Sequence, residues 1–383
     1  ALPDGVYALT AQARDRAGNL GAASAPVTIT VDTDGPVLSG LALAPAFARP
    51  GETVSITLDI RDDLSGVASA SAVVADLQQA GESVSVPLAQ DGVAYAGVLG
   101  VGQAAAEGLK VVQVQAEDGL GNLSSLAGAD LIVDARAPQV LTPILATAGP
   151  NLIISGTHVI YGPQTMAGLE VTAVVSDDAE THLTAGLEVV NFPAVFGQDG
   201  AALTVAGVRA PAAYSHVYTP TGVVSSTFRL EAVDRAGNAA DQSFSLSYDS
   251  APPTVTVSAP ARSGLRFAVQ WAGGDAGAGL AGYDVQIKAP SAPAWTAWFT
   301  TTAETELAFI APASGPYTFR VRATDRVGNV SAWQTAVVEV AAVTKYYLFN
   351  GQRLVMRQGA AIYYLHGDHL GSAALVTDAA GGV

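Results

Sequence analysis

One seven-residue segment occurs four times in this chain, as "ARDRAGN" at 13–19, "AEDGLGN" at 116–122, "AVDRAGN" at 232–238 and "ATDRVGN" at 323–329. Its aspartates, Asp15, Asp118, Asp234 and Asp325, are 103, 116 and 91 residues apart. Self-similarity at a long period marks a tandem array of like units. A period of roughly 100 residues is the size of one small β-sandwich.

The residues before each copy alternate apolar and polar. Counting back by twos gives Ala13, Ala11, Leu9 and Tyr7, then Ala116, Val114 and Val112, then Ala232, Leu230 and Phe228, then Ala323, Val321, Phe319 and Tyr317. Period two marks a strand with one face in a core. A second alternating run follows each copy, at "VTITV" 27–31, "DLIV" 130–133, "SFSLSY" 243–248 and "AVVEV" 336–340. Strand, Asp-x-x-Gly-Asn loop, strand reads as a hairpin.

Three of the hairpins run into proline-containing linkers, "VDTDGP" at 31–36, "VDARAP" at 133–138 and "YDSAPP" at 248–253. Proline ends ladder pairing, so it marks a boundary. The expected organisation is the last strands of a domain at 1–34, sandwiches at 35–137, 138–252 and 253–342, and a different unit at 343–383. The opening "ALPDGVYALT" has a strand-like pattern and lacks Met, so the chain is expected to be a segment of something longer.

Composition agrees with an all-β fold and excludes several functions. The chain has 40 glycines and 20 prolines, many at turn positions, and no long helical pattern. Its net charge of −16 is spread along its length, with no basic stripe for nucleic acid. No apolar run is long enough for a membrane span. It has no cysteine, which removes disulfides, thiolate metal sites and Cys nucleophiles.

In the last sandwich, "LRFAVQW" ends in Trp271, "GYDVQIK" carries Tyr283 and "GPYTFRVRATDRVGN" carries Tyr317. An early-strand core Trp and a Tyr opening the penultimate strand resemble fibronectin type III domains. The preceding modules resemble bacterial immunoglobulin-like domains. The resemblance covers most of residues 1–342 and implies tandem Ig-like and fibronectin type III-like β-sandwiches.

Two readings of the Asp-x-x-Gly-Asn motif stand. As a turn, Asp accepts backbone N–H bonds at the strand end and Gly-Asn tolerates positive φ. As a cation site, a sandwich of this type would gather Asp32, Asp34, Asp62, Asp63 and Asp118 at one junction, and Asp134, Asp177, Asp178 and Asp234 at the next. Crowded carboxylates repel unless neutralised, and calcium takes six to eight oxygen ligands. Calcium at the inter-domain junctions is the one cofactor left open; otherwise none is expected, and no catalytic or metal residue is assigned. The tryptophans of "WTAWF" at 295–299 and Trp333 either pack on the sandwich core or stack on sugar rings.

The C-terminal stretch changes character at Lys345. "YYLFN-GQRLVMR" is two runs joined at Asn350-Gly351, a strong hairpin signal. "AIYYLH" and "SAALVTD" continue a β-meander. "YYLFNGQRLVMR", "YYLHGDHLGS" and "LVTDAAGGV" closely resemble RHS (tyrosine-aspartate, YD) repeats. The resemblance covers residues 345–383 and implies hairpins that add into a hollow shell, which in bacteria often encloses a C-terminal toxin.

Within it, His366, Asp368, His369 and Ser372 have the residue types of a zinc or hydrolase site. Histidines three apart along a strand point to opposite faces, and Ser372 lacks a nucleophile elbow. The pattern is that of a turn, in which Asp368 caps, His369 and Leu370 pack and Gly371 permits the bend.

The expected function is a non-enzymatic stalk or spacer of a large exported bacterial RHS-repeat protein, at the cell surface or outside it. Its partners would be cell-surface or protein partners, without nucleic acid or a membrane span. The alternatives are an adhesin or carbohydrate-binding module, and the carrier part of a toxin whose enzymatic region lies beyond residue 383.

Overall fold

The computed structural model describes residues 2–147, 149–165, 168–178, 183–205, 207–342, 344–358, 361–368, 370 and 372–383. Every helix or strand among them is a strand, so the chain is all-β. Two compact units divide it, one of Ala1–Ile144, Thr172–His216 and Phe228–Ser243, the other of Leu145–Val171, Val217–Thr227 and Phe244–Val383. The division runs within residues 138–252.

In the first unit, residues 37–133 build a two-sheet sandwich. One sheet orders Phe47–Ala48, Leu123–Val133, Gly108–Asp118, Val67–Ala75 and Ser83–Pro87. The other orders Val37–Ala44, Thr53–Arg61, Ala94–Gly100 and Ala89–Asp91. Between them, Val54, Ile56, Leu58 and Ile60 meet Ala72, Val74, Val112, Val114 and Leu131 in one core. Burying each larger aliphatic side chain gains roughly 1.5–3 kcal/mol, which makes the inward positions of the alternation the determinants of the fold.

The hairpin Gly108–Asp118 with Leu123–Val133 is longer than the pattern suggests. Its second strand starts directly after Asn122, seven residues before "DLIV". The register slips between Val112 and Gln113, where Gly128 takes φ +133° as the extra residue of a bulge. Before the bulge the even-numbered Ser124 and Leu126 face inward; after it the odd-numbered Leu131 and Val133 do. One inserted residue flips the side-chain parity and hides the strand from a period-two reading.

The first unit also holds a two-stranded sheet, Gly5–Leu9 with Val27–Val31, whose Val6 and Val27 are exposed. Later in the same unit Leu187 pairs with Asp234 and Val190 with Ala232, with Leu187, Val190 and Ala232 buried.

In the second unit, Leu152–Ser155 and His158–Tyr161 form a hairpin whose second strand pairs in parallel with residues 245–248. Residues 254–340 form another sandwich. A sheet of Thr254–Ser258, Arg266–Gly274 and Glu306–Ile310 covers one of Arg262–Ser263, Gln334–Val340, Gly315–Asp325, Leu280–Lys288 and Thr296–Thr302. Its core is aromatic: Trp271, Tyr283, Tyr317 and Phe319 are buried. Tyr317 Oη donates to the Ala313 carbonyl (3.1 Å), which pins the start of its strand to the preceding turn.

Last, Thr344–Phe349, Gln352–Gln358, Ala361–Gly367 and Ala373–Asp378 form a four-stranded antiparallel meander in chain order. Its first turn has Asn350 at φ 43° and Gly351 at φ 79°, the positive pair that a two-residue hairpin turn requires.

Candidate metal centres

A single turn recurs at the strand ends. In Asp118–Asn122, Asp118 Oδ1 accepts the backbone N–H of Leu120 and Asn122 (2.8 Å each), and the Asp118 N–H reaches the Asn122 carbonyl (3.1 Å). Asp15, Asp234 and Asp325 each accept the N–H four residues on at 2.8–2.9 Å and close the same backbone bond. Positive φ falls on Gly121, Gly237 and Gly328 and not on the asparagines that follow. Glycine carries the positive φ, and the asparagine side chain donates to the turn's own aspartate (Nδ2 to Oδ2, 2.7–2.9 Å).

Two more such turns lie in the meander. Asp368 Oδ1 accepts from Leu370 (2.9 Å) and Ser372 (3.0 Å), and Asp378 Oδ1 accepts from Ala380 (2.9 Å) and Gly382 (2.7 Å). In the "DHLGS" cluster, Asp368 is thus engaged by backbone. His366 Nε2 meets Thr377 Oγ1 at 3.1 Å. Leu370, expected to pack, is 79% exposed, because its N–H is drawn to Asp368 while its side chain sits at the loop tip. His369 and Gly371 lie outside the described residues.

The sandwich turns converge with two other carboxylates each. Among the described residues, three groups have carboxylate oxygens within 4.8 Å of one another: Asp32, Asp62 and Asp118; Asp134, Asp177 and Asp234; Asp249, Asp275 and Asp325. Each takes one aspartate from a linker, one from the loop after an early strand and one from the recurrent turn. The linker aspartates also accept from the early loop, Asp32 from Ser65 N (3.1 Å), Asp134 from Ala185 N (2.7 Å) and Asp249 from Ala278 N (2.7 Å).

The first two groups contain the aspartates expected from the sequence; the third was not expected. The signal was present: "YDSAPP" places Asp249 where "VDTDGP" and "VDARAP" place Asp32 and Asp134. Asp34, Asp63 and Asp178 were expected to join and do not; all three are exposed. Asp62 and Asp177 continue the inward alternation of the strands they follow, Thr53–Arg61 and Leu169–Ser176, and Asp63 and Asp178 fall on the opposite parity.

Electrostatics separates the groups. Asp177 is pushed up to about 6 by burial, with repulsion from Asp134 adding to it. Burial also raises Asp234, against the bonds from Asn238. Asp118 is held down to about 2, because bonds from the Asn122 side chain and backbone, Ser65 and Leu120 outweigh the cost of its burial. Two unit charges about 5 Å apart repel by ~3 kcal/mol at an effective dielectric of about 20. In the second group, where all three carboxylates are buried, a proton or a cation would relieve this repulsion.

The tryptophans divide. Trp298 is partly buried and packs against the core, with ring centroids 5.6 Å from both Phe309 and Phe319. Trp295 and Trp333 lie on the outer side and sandwich the Arg320 guanidinium at 4.2 and 4.3 Å, while Arg322 covers Trp333 at 4.8 Å. Arg322 is also paired with Asp284 (2.8 Å).

No protein-family model matches the chain. Over 190 residues, 46% of this chain, it is 30% identical to exoglucanase B of Cellulomonas fimi, and the match spans 16% of that protein. Among solved structures, it is similar to a tetra-tandem repeat from the extending region of a large adhesion protein (20% identity, 89% of this chain, 83% of that one, TM-score 0.31). It is also similar to a Ca2+-stabilized, ice-binding adhesin of an Antarctic bacterium (16% identity, 88% and 81%, TM-score 0.36). Fibronectin(III)-like modules of Clostridium thermocellum CbhA match as well (15% identity, 51% and 94%, TM-score 0.24). These are likenesses of fold.

Proposed function

We propose that this chain is a non-enzymatic extension segment of a large, exported bacterial surface protein, and that its linkers are clamped by divalent cations of the calcium class. The observation that carries this is the threefold recurrence of one aspartate triad, each made from a linker, an early loop and the recurrent turn. Calcium is a hard cation served by carboxylate and carbonyl oxygens, and one ion would neutralise charge that burial otherwise disfavours. An ion held by three separate segments ties the linker to the following sandwich, as a spacer requires. Among the described residues no helix is long and apolar enough to cross a membrane.

The resemblance of "YYLHGDHLGS" and its neighbours to RHS repeats supports a finer reading, in which the stalk leads into a β-shell that carries a toxin beyond residue 383. A second reading, an adhesin for acidic glycans, is favoured by the Trp295–Arg320–Trp333 stack on the outer sheet face.

Thermal unfolding of the full chain in EDTA, and with millimolar calcium, magnesium or sodium, tests the cation clamp. Calcium is expected to raise Tm well beyond magnesium and sodium, reversibly with EDTA. An unchanged Tm ends this reading. A glycan array tests the second, and no binding of acidic sugars above background removes it.

A further inference from the structure

The fifth residue of the recurrent turn is Asn in the sandwiches and Ser or Gly in the meander, although the turn itself is the same. In the sandwiches both amide protons of that Asn are used. Asn122 Nδ2 donates to Asp118 Oδ2 (2.7 Å) and to the Asp32 carbonyl (3.1 Å). Asn238 Nδ2 donates to Asp234 Oδ2 (2.8 Å) and to the Asp134 carbonyl (3.1 Å). Asn329 Nδ2 donates to Asp325 Oδ2 (2.8 Å) and to the Asp249 carbonyl (3.0 Å). The acceptor is each time the backbone of the linker aspartate whose side chain enters the triad. Ser372 and Gly382 close their turns on Asp368 and Asp378 without an amide.

We infer that Asn122, Asn238 and Asn329 are linker latches: positioning residues that hold the linker backbone against the recurrent turn and so aim the linker carboxylate at the other two. The turns at Asp368 and Asp378 serve as internal controls. They share the turn's hydrogen bonds and have no asparagine, while the turn at Asp15 has Asn19, whose amide bonds Asp15 Oδ2 (2.9 Å). Each latch bond bridges segments 80–104 residues apart in sequence, so it fixes tertiary placement and not local conformation. A serine hydroxyl, shorter and with one proton, cannot serve both acceptors. The latch stands on the hydrogen bonds alone; its effect on ion affinity rests on the cation reading above.

The test is Asn238→Ser in the full chain, since Ser372 shows that the turn accepts serine, with Asn329→Ser in parallel. Amide hydrogen exchange is followed in EDTA, where no ion contributes. Exchange in the linker, at Arg136 for the first variant and at Ala251 for the second, is expected to rise about tenfold, the loss of one part-buried or buried, charge-adjacent hydrogen bond, while the sandwich strands stay protected. Unchanged linker exchange overturns the latch. So does an equal rise in linker and strands, or failure of both variants to fold, because the asparagine would then support the sandwich as a whole. Calcium is then titrated into the same variants, with a weaker calcium-induced rise in Tm expected. Faster linker exchange with no calcium response in either wild type or variant leaves the latch standing and removes the cation clamp instead.

Discussion

Asp134 and Asp177, one from a linker and one from the loop after an early strand, are both buried and have carboxylate oxygens within 4.8 Å of each other. Burial, and then this neighbour, push Asp177 up to about 6, above an unfolded value of about 3.9. Between those values the folded chain binds a proton that the unfolded chain has released, so this contribution is complete below about pH 4 and lost as pH rises through about 6. In EDTA, Tm is expected to be higher at pH 5 than at pH 7.5. Saturating calcium should close the gap, and Asp177→Asn should flatten it without calcium. A metal-free Tm that rises from pH 5 to 7.5 contradicts the assignment. Asp118, held at about 2, acts in a separate window and withdraws its stabilisation only as pH falls toward that value.

The third triad can be attacked from outside its ligands. A Cβ on Gly277 would lie 2.2 Å from Asp249 Oδ2 and 2.5 Å from its Cγ. Asp249 cannot swing aside freely, because it is buried and accepts the N–H of Ala251 and Ala278. Gly277→Ala is expected to destabilise the 254–340 sandwich by about 1–3 kcal/mol, as overpacking does. Calorimetric titration should then lose one calcium per chain relative to wild type. Full retention of both stability and stoichiometry would show that Asp249 is not held as described.

Much of this was legible in the sequence, and the failures have physical causes. The tandem array, the recurrent hairpin and two of the triads follow from spacing and alternation, because strand parity and turn chemistry are local. What was lost depends on distance. Leu123–Val133 was cut short because the bulge at Gly128 reverses parity midway. The asparagines were read as turn residues because their acceptors, the linker carbonyls, lie 80–104 residues away. Asp63 and Asp178 drop out by a signal that is legible: the inward alternation Val54 to Ile60 and Leu169 to Val175 continues onto Asp62 and Asp177.

The tryptophans make the same point energetically. Trp295 and Trp298 are three residues apart, yet Trp298 packs among Phe309, Phe319 and Trp271 while Trp295 stacks on Arg320. Trp298→Ala is expected to cost about 2–4 kcal/mol, somewhat below the truncation of a fully buried aromatic, because the ring is only partly buried. Trp295→Ala should cost about 0.5–2 kcal/mol, the worth of a partly exposed cation–π contact. Urea denaturation followed by far-ultraviolet circular dichroism separates them. Equal losses would place both rings in the core.

The meander and the first hairpin should be the least stable parts of the chain. The meander exposes apolar side chains on both faces: Tyr347 and Tyr364 share one, and Tyr346 and Val376 lie on the other. A sheet that buries little beyond Leu365 lacks the burial that offsets chain entropy, and a two-stranded sheet such as Gly5–Leu9 with Val27–Val31 is marginal by itself. The strand Gly108–Asp118, by contrast, is paired on both edges and buries every second residue. Native-state hydrogen exchange is expected to show residues 5–31 and 344–378 exchanging through local opening, orders of magnitude faster than Val112, Val114 and Ala116. Equal protection across these regions would mean that the exposed apolar faces are covered in solution, and light scattering on the same sample would then have to show self-association.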